Sequence, residues 1–290
     1  MKDYEAFFRE YPFAESPESV LSKAKQAVSD TYDRLNNATT WKEIFRTLEI
    51  TTLKATDHEE SIRQLVEKIN ALDDQYPEIP VPAGICVYPA WVETAKGLLT
   101  EDVEISTVVG FPSSQTFTEV KIAETALAIA DGATEIDMVL PVGKFLAGDY
   151  DSVYNEIQEV KSACRDHRLK VILETGLLKE PGAVWRASLL AMEAGADFIK
   201  TTTGKEVPTD LNAVWIMASA IKAYREKTKQ VKGIKIAGGV NETQDAVIYY
   251  GIVLDLLGAD YLAEDHFRIG TSRLANKLMS SILKEDICYF

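Results

Sequence analysis

Gly195-Ala196-Asp197-Phe198-Ile199-Lys200-Thr201-Thr202-Thr203-Gly204-Lys205 reads as a helix stop, a short buried strand and a glycine turn in immediate succession. Glycine ends helices readily because it tolerates positive φ, and the apolar, β-branched run after it suits a strand covered on both faces. The same Gly-Ala pair recurs at Gly132-Ala133 and Gly258-Ala259, 63 residues to either side. That period has room for two strand–helix units, so the equal spacing predicts an internal repeat of parallel βα pairs in which each pair opens a strand.

Outward from this run, short β-branched segments alternate with amphipathic stretches of helical length. The expected strands are Leu48 to Leu53, Gly84 to Tyr88, Glu104 to Gly110, Glu135 to Leu140, Leu169 to Thr175, Asp197 to Thr203, Gly233 to Gly238 and Ala259 to Ala263. Between them, Glu59 to Leu72, Thr118 to Ala130, Tyr150 to Arg165, Leu211 to Lys227, Glu242 to Leu256 and Ser272 to Leu283 carry helical patterns. Eight such pairs close a barrel, so the expected fold is α/β, a TIM (β/α)8 barrel over residues 46–290. Residues 1–45 differ in character. Ser16 to Asn37 reads as a polar helix with a Ser-Pro start, and the segment is expected to be an N-terminal helical extension. The rival fold, an open doubly wound sheet, calls for a glycine-rich dinucleotide turn after its first strand, and no GxGxxG occurs.

Composition bounds the function. The chain has 290 residues, 46% of them hydrophobic and 26% charged, which excludes disorder and fibre. Its net charge of −14 opposes nucleic acid as a partner, leaving phosphate recognition to a local site of backbone N–H groups and a few lysines. Three cysteines without any CxxC argue against a disulfide framework or a zinc ribbon and suit a reducing, cytoplasmic setting. Neither a signal peptide nor an 18-residue apolar run is present, so no membrane partner is expected. A homo-oligomer is left open, since barrels commonly pair through their outer helices.

Polar residues inside barrel strands are the informative ones, because reactive groups gather toward the strands' C-terminal ends. Asp137, Lys200 and Lys235 stand on the fourth, sixth and seventh strands, each three or four residues before the Pro or Gly that ends its strand. With one period-two alternation they face inward at similar depth. Burial lowers a lysine's affinity for its proton, a second lysine lowers it further, and the resulting amine suits imine formation with a carbonyl substrate. A nearby carboxylate moves the protons. The alternative is structural: Asp137 bridges a lysine, or the lysines point outward between helices. Turns at Thr203-Gly204-Lys205, Gly238-Gly239 and Gly270-Thr271-Ser272-Arg273 follow successive strands and fit the usual barrel phosphate site. Ile199 stands where a P-loop needs its first glycine, so this is no nucleotide loop. His58, His167 and His266 show no metal-ligand spacing, and no metal site is expected. Cys86 reads as a small core residue.

These motifs resemble the deoxyribose-phosphate aldolase family of class I aldolases. The likeness runs from Glu49-Ile-Thr-Thr-Leu through Gly-Ile-Cys-Val-Tyr-Pro, Val-Val-Gly-Phe-Pro, Glu-Ile-Asp-Met-Val, Leu-Glu-Thr-Gly-Leu-Leu, the Lys200 motif and Lys-Ile-Ala-Gly-Gly-Val to Arg-Ile-Gly-Thr-Ser, covering roughly Leu48 to Leu283. The resemblance implies a barrel that cleaves 2-deoxy-D-ribose 5-phosphate to D-glyceraldehyde 3-phosphate and acetaldehyde without a cofactor. It makes Lys200 the Schiff-base lysine, Lys235 the lysine that depresses its pKa, and Asp137 the proton carrier. Gly204, Lys205, Gly238, Gly239 and Ser272 become the phosphate site, with Thr203, Cys86 and Glu49 contacting substrate. Four departures stand out. Glu49 replaces a common Asp, Asn241 replaces an Arg after Gly-Gly-Val, Arg273 replaces a second Ser, and residues 1–45 have no counterpart in the shortest members. Tyr289 is a candidate for the tail tyrosine that relays protons in some members. The competing readings are a class I aldolase for a related phosphorylated sugar and a non-catalytic barrel that senses a sugar phosphate; the second should lack a member of the reactive triad, and this chain lacks none.

Overall fold

Eight short parallel strands form a closed barrel in the computed structural model, which describes residues 3–290. They are β1 (Leu48–Thr51), β2 (Gly84–Val87), β3 (Glu104–Val109), β4 (Glu135–Val139), β5 (Arg168–Ile172), β6 (Phe198–Lys200), β7 (Gly233–Ala237) and β8 (Phe267–Thr271), with β8 pairing back to β1. Ahead of the barrel lie α1 (Tyr4–Arg9), α2 (Pro17–Leu35) and α3 (Ala38–Arg46). The crossovers contribute α4 (Glu59–Asn70), α5 (Leu72–Gln75), α6 (Val92–Leu98), α7 (Thr118–Ala130), α8 (Val142–Leu146) and α9 (Tyr150–Cys164). They continue with α10 (Thr175–Leu178), α11 (Pro181–Glu193), α12 (Leu211–Thr228), α13 (Thr243–Leu257) and α14 (Leu274–Leu283). This is a TIM (β/α)8 barrel.

One strand is not where the repeat puts it. At the expected Ala259 to Ala263 the chain makes a single 3₁₀ turn over Ala259–Tyr261, and the strand follows at Phe267–Thr271. Gly258 ends α13 at φ +90, as Gly132 and Gly195 end their helices at +108 and +106. Beyond Gly258, however, the N–H groups of Tyr261 and Leu262 bond back to Gly258 and Ala259, which buries Tyr261 in a tight turn. The Gly-Ala period therefore marks helix ends, and only in two of its three occurrences does a strand begin at once.

Side-chain alternation divides each strand between two environments. Ile50, Ile85, Ile136, Val171, Ile199 and Ile234 face the helices and are buried. The other parity points into the barrel and is largely polar: Glu49, Cys86, Ser106, Glu135, Asp137 and Lys170 among others, all fully or almost fully buried. Two inward glycines make room for bulky neighbours. A Cβ at Gly233 would stand 2.3 Å from the Phe198 ring, and one at Gly270 would stand 3.1 Å from Cε of Lys235.

The N-terminal helices wrap the outside of the barrel. Tyr11 stacks on Tyr224 of α12 and Phe13 on Trp185 of α11, whose indole N–H donates to the Tyr11 carbonyl at 3.0 Å. Next, α2 packs on α12 and α13, and α3 packs on α13 and α14. The α2–α13 crossing is close because Gly251 has no side chain: a Cβ there would lie 2.4 Å from the Thr31 hydroxyl oxygen, which is itself bonded to the Ala27 carbonyl at 2.7 Å and cannot swing away. Gly251→Leu is therefore expected to lift α2 and cost about 1–3 kcal/mol of stability, read as a lower urea midpoint. An unchanged midpoint would mean that the belt is not packed as described.

Candidate active site

Cavities of similar size open at both mouths of the barrel, about 430 Å³ at the N-terminal end and about 410 Å³ at the C-terminal end. Volume does not separate them; chemistry does. The N-terminal cavity mixes Arg46, Arg168 and Arg268 with Asp102, Glu104, Glu264 and Asp265, and Arg168 is engaged by Glu104, Glu135 and Asp265 at 3.2, 3.0 and 2.5 Å. Among the described residues, the C-terminal cavity is lined by four basic side chains, Lys54, Lys200, Lys205 and Arg273, and by no carboxylate. On a chain of net charge −14 that is a strongly biased surface.

Beneath this cavity lies a lattice of buried charge. Asp137 Oδ2 accepts from Lys200 Nζ at 2.8 Å and from Lys235 Nζ at 2.7 Å, and Asp137 Oδ1 accepts from Lys170 Nζ at 3.1 Å. Lys170 also donates to Glu135 at 2.5 Å and Ser106 at 2.7 Å and lies 3.3 Å from Glu49, while Lys235 donates to Glu49. Arg268 closes the deep end, 3.4 Å from Glu135. The barrel's stagger produces this convergence: Lys200 pairs with Lys235 and Asp137 with Lys170 across adjacent strands.

The electrostatics follow from burial opposed by opposite charge. Burial alone would raise Asp137, but Lys170, Lys200 and Lys235 outweigh it and hold the carboxyl well below the usual range. Glu49 and Glu135 are held low by their cations in the same way. Burial alone would lower Lys235, yet Asp137 and Glu49 keep it a firm ammonium above the ordinary lysine value, and Asp137, Glu135 and Glu49 do the same for Lys170. Lys200 differs in geometry. Among the described residues its only ion-pair partner is Asp137 Oδ2, an atom it shares with Lys235, and it is the one lysine of the three that lines the cavity. Among the described residues, this lattice sets three buried carboxylates against four buried cations.

The upper cavity wall is made of glycine turns. Gly204, Gly238 and Gly239 hold φ of +74, +91 and +83, conformations that disfavour any L side chain. A Cβ on Gly238 would come within 2.1 Å of the Thr202 hydroxyl oxygen, and one on Gly204 would touch the Gly238 Cα at 3.7 Å. Thr271 Oγ1 accepts from the N–H groups of Arg273 and Leu274 and so shapes the start of α14. Lys205 Nζ is tied to the Leu53 carbonyl at 2.6 Å. Thr203, Ser272 and Asn241 line the same space. Glycine turns, a helix start and three rim cations form a site suited to a phosphate.

A family model described as DeoC/LacD family aldolase matches residues 49–248, more than half of the chain. The chain belongs to this aldolase family. A curated Caenorhabditis elegans protein named "Putative deoxyribose-phosphate aldolase" is similar to it, 35% identical over 268 residues, spanning 90% of this chain and 86% of that protein. The deoxyribose phosphate aldolase of Aeropyrum pernix, described as a tetramer, superposes with a TM-score of 0.66 at 26% identity over 92% of this chain and 98% of its own. A structure named "QR15, an Aldolase" gives 0.68 at 28% identity, over 83% of this chain and 98% of its own.

The aldolase does not assemble every residue expected at its site. Tyr289 lies outside the barrel: its hydroxyl donates to the Lys68 carbonyl on α4 at 2.6 Å and its ring packs on Tyr76, because Asn276 of α14 binds the backbone of residues 289 and 290. Cys86 sits below the cavity floor, fully buried, where burial pushes its thiol up. Potential ligand atoms of Glu49, Cys86 and Asp137 lie within 4.8 Å of one another, but ammonium groups already occupy both carboxylates. Glu49 likewise lies beneath the cavity, in the lattice. Sequence reasoning missed Lys170, Glu135 and Arg268 in the lattice and Lys54 at the rim. The parity rule that selected Asp137 also selects Glu135, two residues earlier, and places Arg168 and Lys170 on one face of β5.

Breaking the lattice at one member strands the others. Lys170→Met is expected to cost about 3–5 kcal/mol, since it leaves Glu135, Asp137 and Glu49 short of a cation. The carboxylates are depressed and the fixed lysines raised, which sets the sign of the pH dependence. Their contribution is complete between about pH 4.3 and 10.4 and is lost as pH falls or rises beyond that window. Urea midpoints of wild type and variant across pH check this: the gap should be wide at pH 7 and close in acid. A gap of under about 1 kcal/mol at pH 7 would contradict the lattice.

Proposed function

We propose that this aldolase reversibly cleaves 2-deoxy-D-ribose 5-phosphate to D-glyceraldehyde 3-phosphate and acetaldehyde through an imine on Lys200. The observation that carries the reading is one cavity, lined by no carboxylate among the described residues, with the Lys200 amine at its floor and glycine turns on its wall. Lys200 attacks C1 of the open-chain sugar, and loss of water gives a protonated imine. Asp137, hydrogen-bonded to Lys200, carries protons for these steps. As the C2–C3 bond breaks, its electrons pass into the imine, the C3 hydroxyl gives up its proton and becomes the aldehyde of glyceraldehyde 3-phosphate, and an enamine of acetaldehyde remains. Protonation of that enamine and hydrolysis return acetaldehyde and the free amine. The imine is the electron sink, so the reading needs no metal or organic cofactor.

Lys235 serves as a fixed cation that disfavours a second positive charge on Lys200. Gly204, Lys205, Gly238, Gly239 and Ser272 take the phosphate, with Thr203 beside them and Arg273 replacing a residue of neutral type at the rim. The chain divides best into a helical extension over residues 1–45 and an aldolase barrel over residues 46–290. A cytoplasmic setting suits its three free cysteines. Self-association, as the Aeropyrum relative's tetramer illustrates, is part of the reading.

Borohydride trapping with acetaldehyde, with and without EDTA, followed by peptide mass spectrometry, should place a two-carbon adduct on Lys200. Lys200→Leu should lose the adduct and at least about a thousandfold in turnover while remaining folded. An adduct elsewhere, or turnover retained by that variant, would refute the assignment. Lys235→Leu should slow turnover and move the rise of its pH profile to higher pH; an unmoved profile would show that Lys235 does not act on Lys200 by charge.

A further inference from the structure

The phosphate-binding turn is not self-supporting. Residues 203–205 follow β6 after Thr201 and Thr202, and here the Lys205 N–H donates to Thr203 Oγ1 at 3.1 Å and the Gly204 N–H to Thr202 Oγ1 at 3.1 Å. The Thr203 N–H points the other way. It donates at 3.1 Å to Oε2 of Glu174, a side chain only 2% exposed that belongs to the loop after the preceding strand, β5. Glu174 lies in the Leu-Glu-Thr-Gly-Leu-Leu motif, which has no part in the imine chemistry. Its backbone is left-handed at φ 54, ψ 57, a conformation that a non-glycine residue holds only under tertiary constraint. The adjacent Thr175 N–H bonds the Thr201 carbonyl at 3.1 Å, so the two loops are joined at neighbouring points.

A second contact, independent of the first, comes one residue later in the same loop. Gly176 lies against Val207, so close that a Cβ on residue 176 would be 2.3 Å from the Val207 Cβ. Val207 leads into Pro208, which lines the cavity and in turn abuts Gly239, where a Cβ would lie 2.9 Å from the Pro208 ring. The segment from Thr203 to Thr209 is thus clamped between the 174–176 loop on one side and the Gly238–Gly239 turn on the other, where the Thr209 N–H bonds the Gly238 carbonyl at 3.1 Å.

We propose that Glu174 is a positioning residue for phosphate recognition, holding the 203–205 turn in the shape that binds the substrate's phosphate, and that Gly176 fixes the turn's place through Val207. The inference rests on the sugar-phosphate reading above. It predicts a loss confined to the phosphorylated substrate, because Glu174 acts on the turn and does not take part in bond cleavage at Lys200.

The experiment is steady-state kinetics with 2-deoxyribose 5-phosphate and with unphosphorylated 2-deoxyribose. Glu174→Ala leaves the buried Thr203 N–H unpaired and should raise KM for the phosphorylated sugar about tenfold, with kcat changed less than about threefold. The kcat/KM for unphosphorylated 2-deoxyribose should stay within about twofold. Glu174→Gln keeps an acceptor oxygen and should recover most of the KM. Should Glu174→Ala fail to fold, Gly176→Ala tests the same clamp with Glu174 intact: it should raise KM for the phosphorylated sugar, and Val207→Ala added to it should restore KM by making room. Equal losses on both sugars, or an unchanged KM for the phosphorylated one, would overturn the inference while leaving the aldolase reading in place. A wild-type enzyme that cleaves both sugars equally well would overturn the phosphate reading and this inference together.

Discussion

Asp137 accepts hydrogen bonds from three ammonium groups at once, in a space closed to solvent. No member of such a cluster is tolerable alone, since an isolated ion in a protein interior costs several kcal/mol, and its neighbours repay that only when the geometry is complete. The rest of the barrel is arranged to complete it. Glu49, Glu135 and Ser106 take the remaining donor capacity of Lys170 and Lys235, and Arg268 and Arg168 cap Glu135 from the far mouth. Gly270 leaves the space that the Lys235 stem occupies. Stability comes from the opposite parity of the same strands, the isoleucines and valines buried under the helices, and from the aromatic belt of the N-terminal segment.

The same arrangement separates one lysine from the other two. Lys170 and Lys235 each touch at least two carboxylates and stay charged, whereas Lys200 shares a single oxygen with Lys235 and opens to the cavity. In the proposed mechanism, the protonated imine formed at Lys200 keeps a positive charge next to the Asp137 carboxylate. The lattice therefore suits both ends of the imine cycle without rearrangement, which is what preorganised electrostatics requires.

Much of this was legible in the chain. The alternation of strand and helix patterns gave the barrel, and polar residues inside strands gave Asp137, Lys200 and Lys235. What escaped notice did so for physical reasons. A charged residue on a strand looks like an exterior position unless its parity is tied to a known inward residue, which hid Lys170 and Glu135. Arg268 was hidden because its strand was misplaced: Gly258 looks like the helix-ending glycines at 132 and 195, and the tight turn at Ala259–Tyr261 has no distinctive composition. Tyr289 could not be placed from sequence, because a tail's position depends on contacts such as those from Asn276 that no local pattern encodes.

The acidic character of the whole chain bears on how it recognises an anion. Exposed lysines scattered over a surface of net charge −14 would be screened within about 8 Å at physiological ionic strength and opposed by their acidic neighbours. Backbone N–H dipoles escape that limit, because they are fixed by the fold, carry no net charge and act at contact distance. Left-handed turns at Gly204, Gly238 and Gly239 shape the cavity wall at the ends of adjacent strands. Such turns have little side-chain packing of their own and take their shape from their neighbours. For the 203–205 turn those neighbours are a buried carboxylate and a glycine on the preceding loop, so the precision of anion recognition in this barrel is set one loop away from the anion.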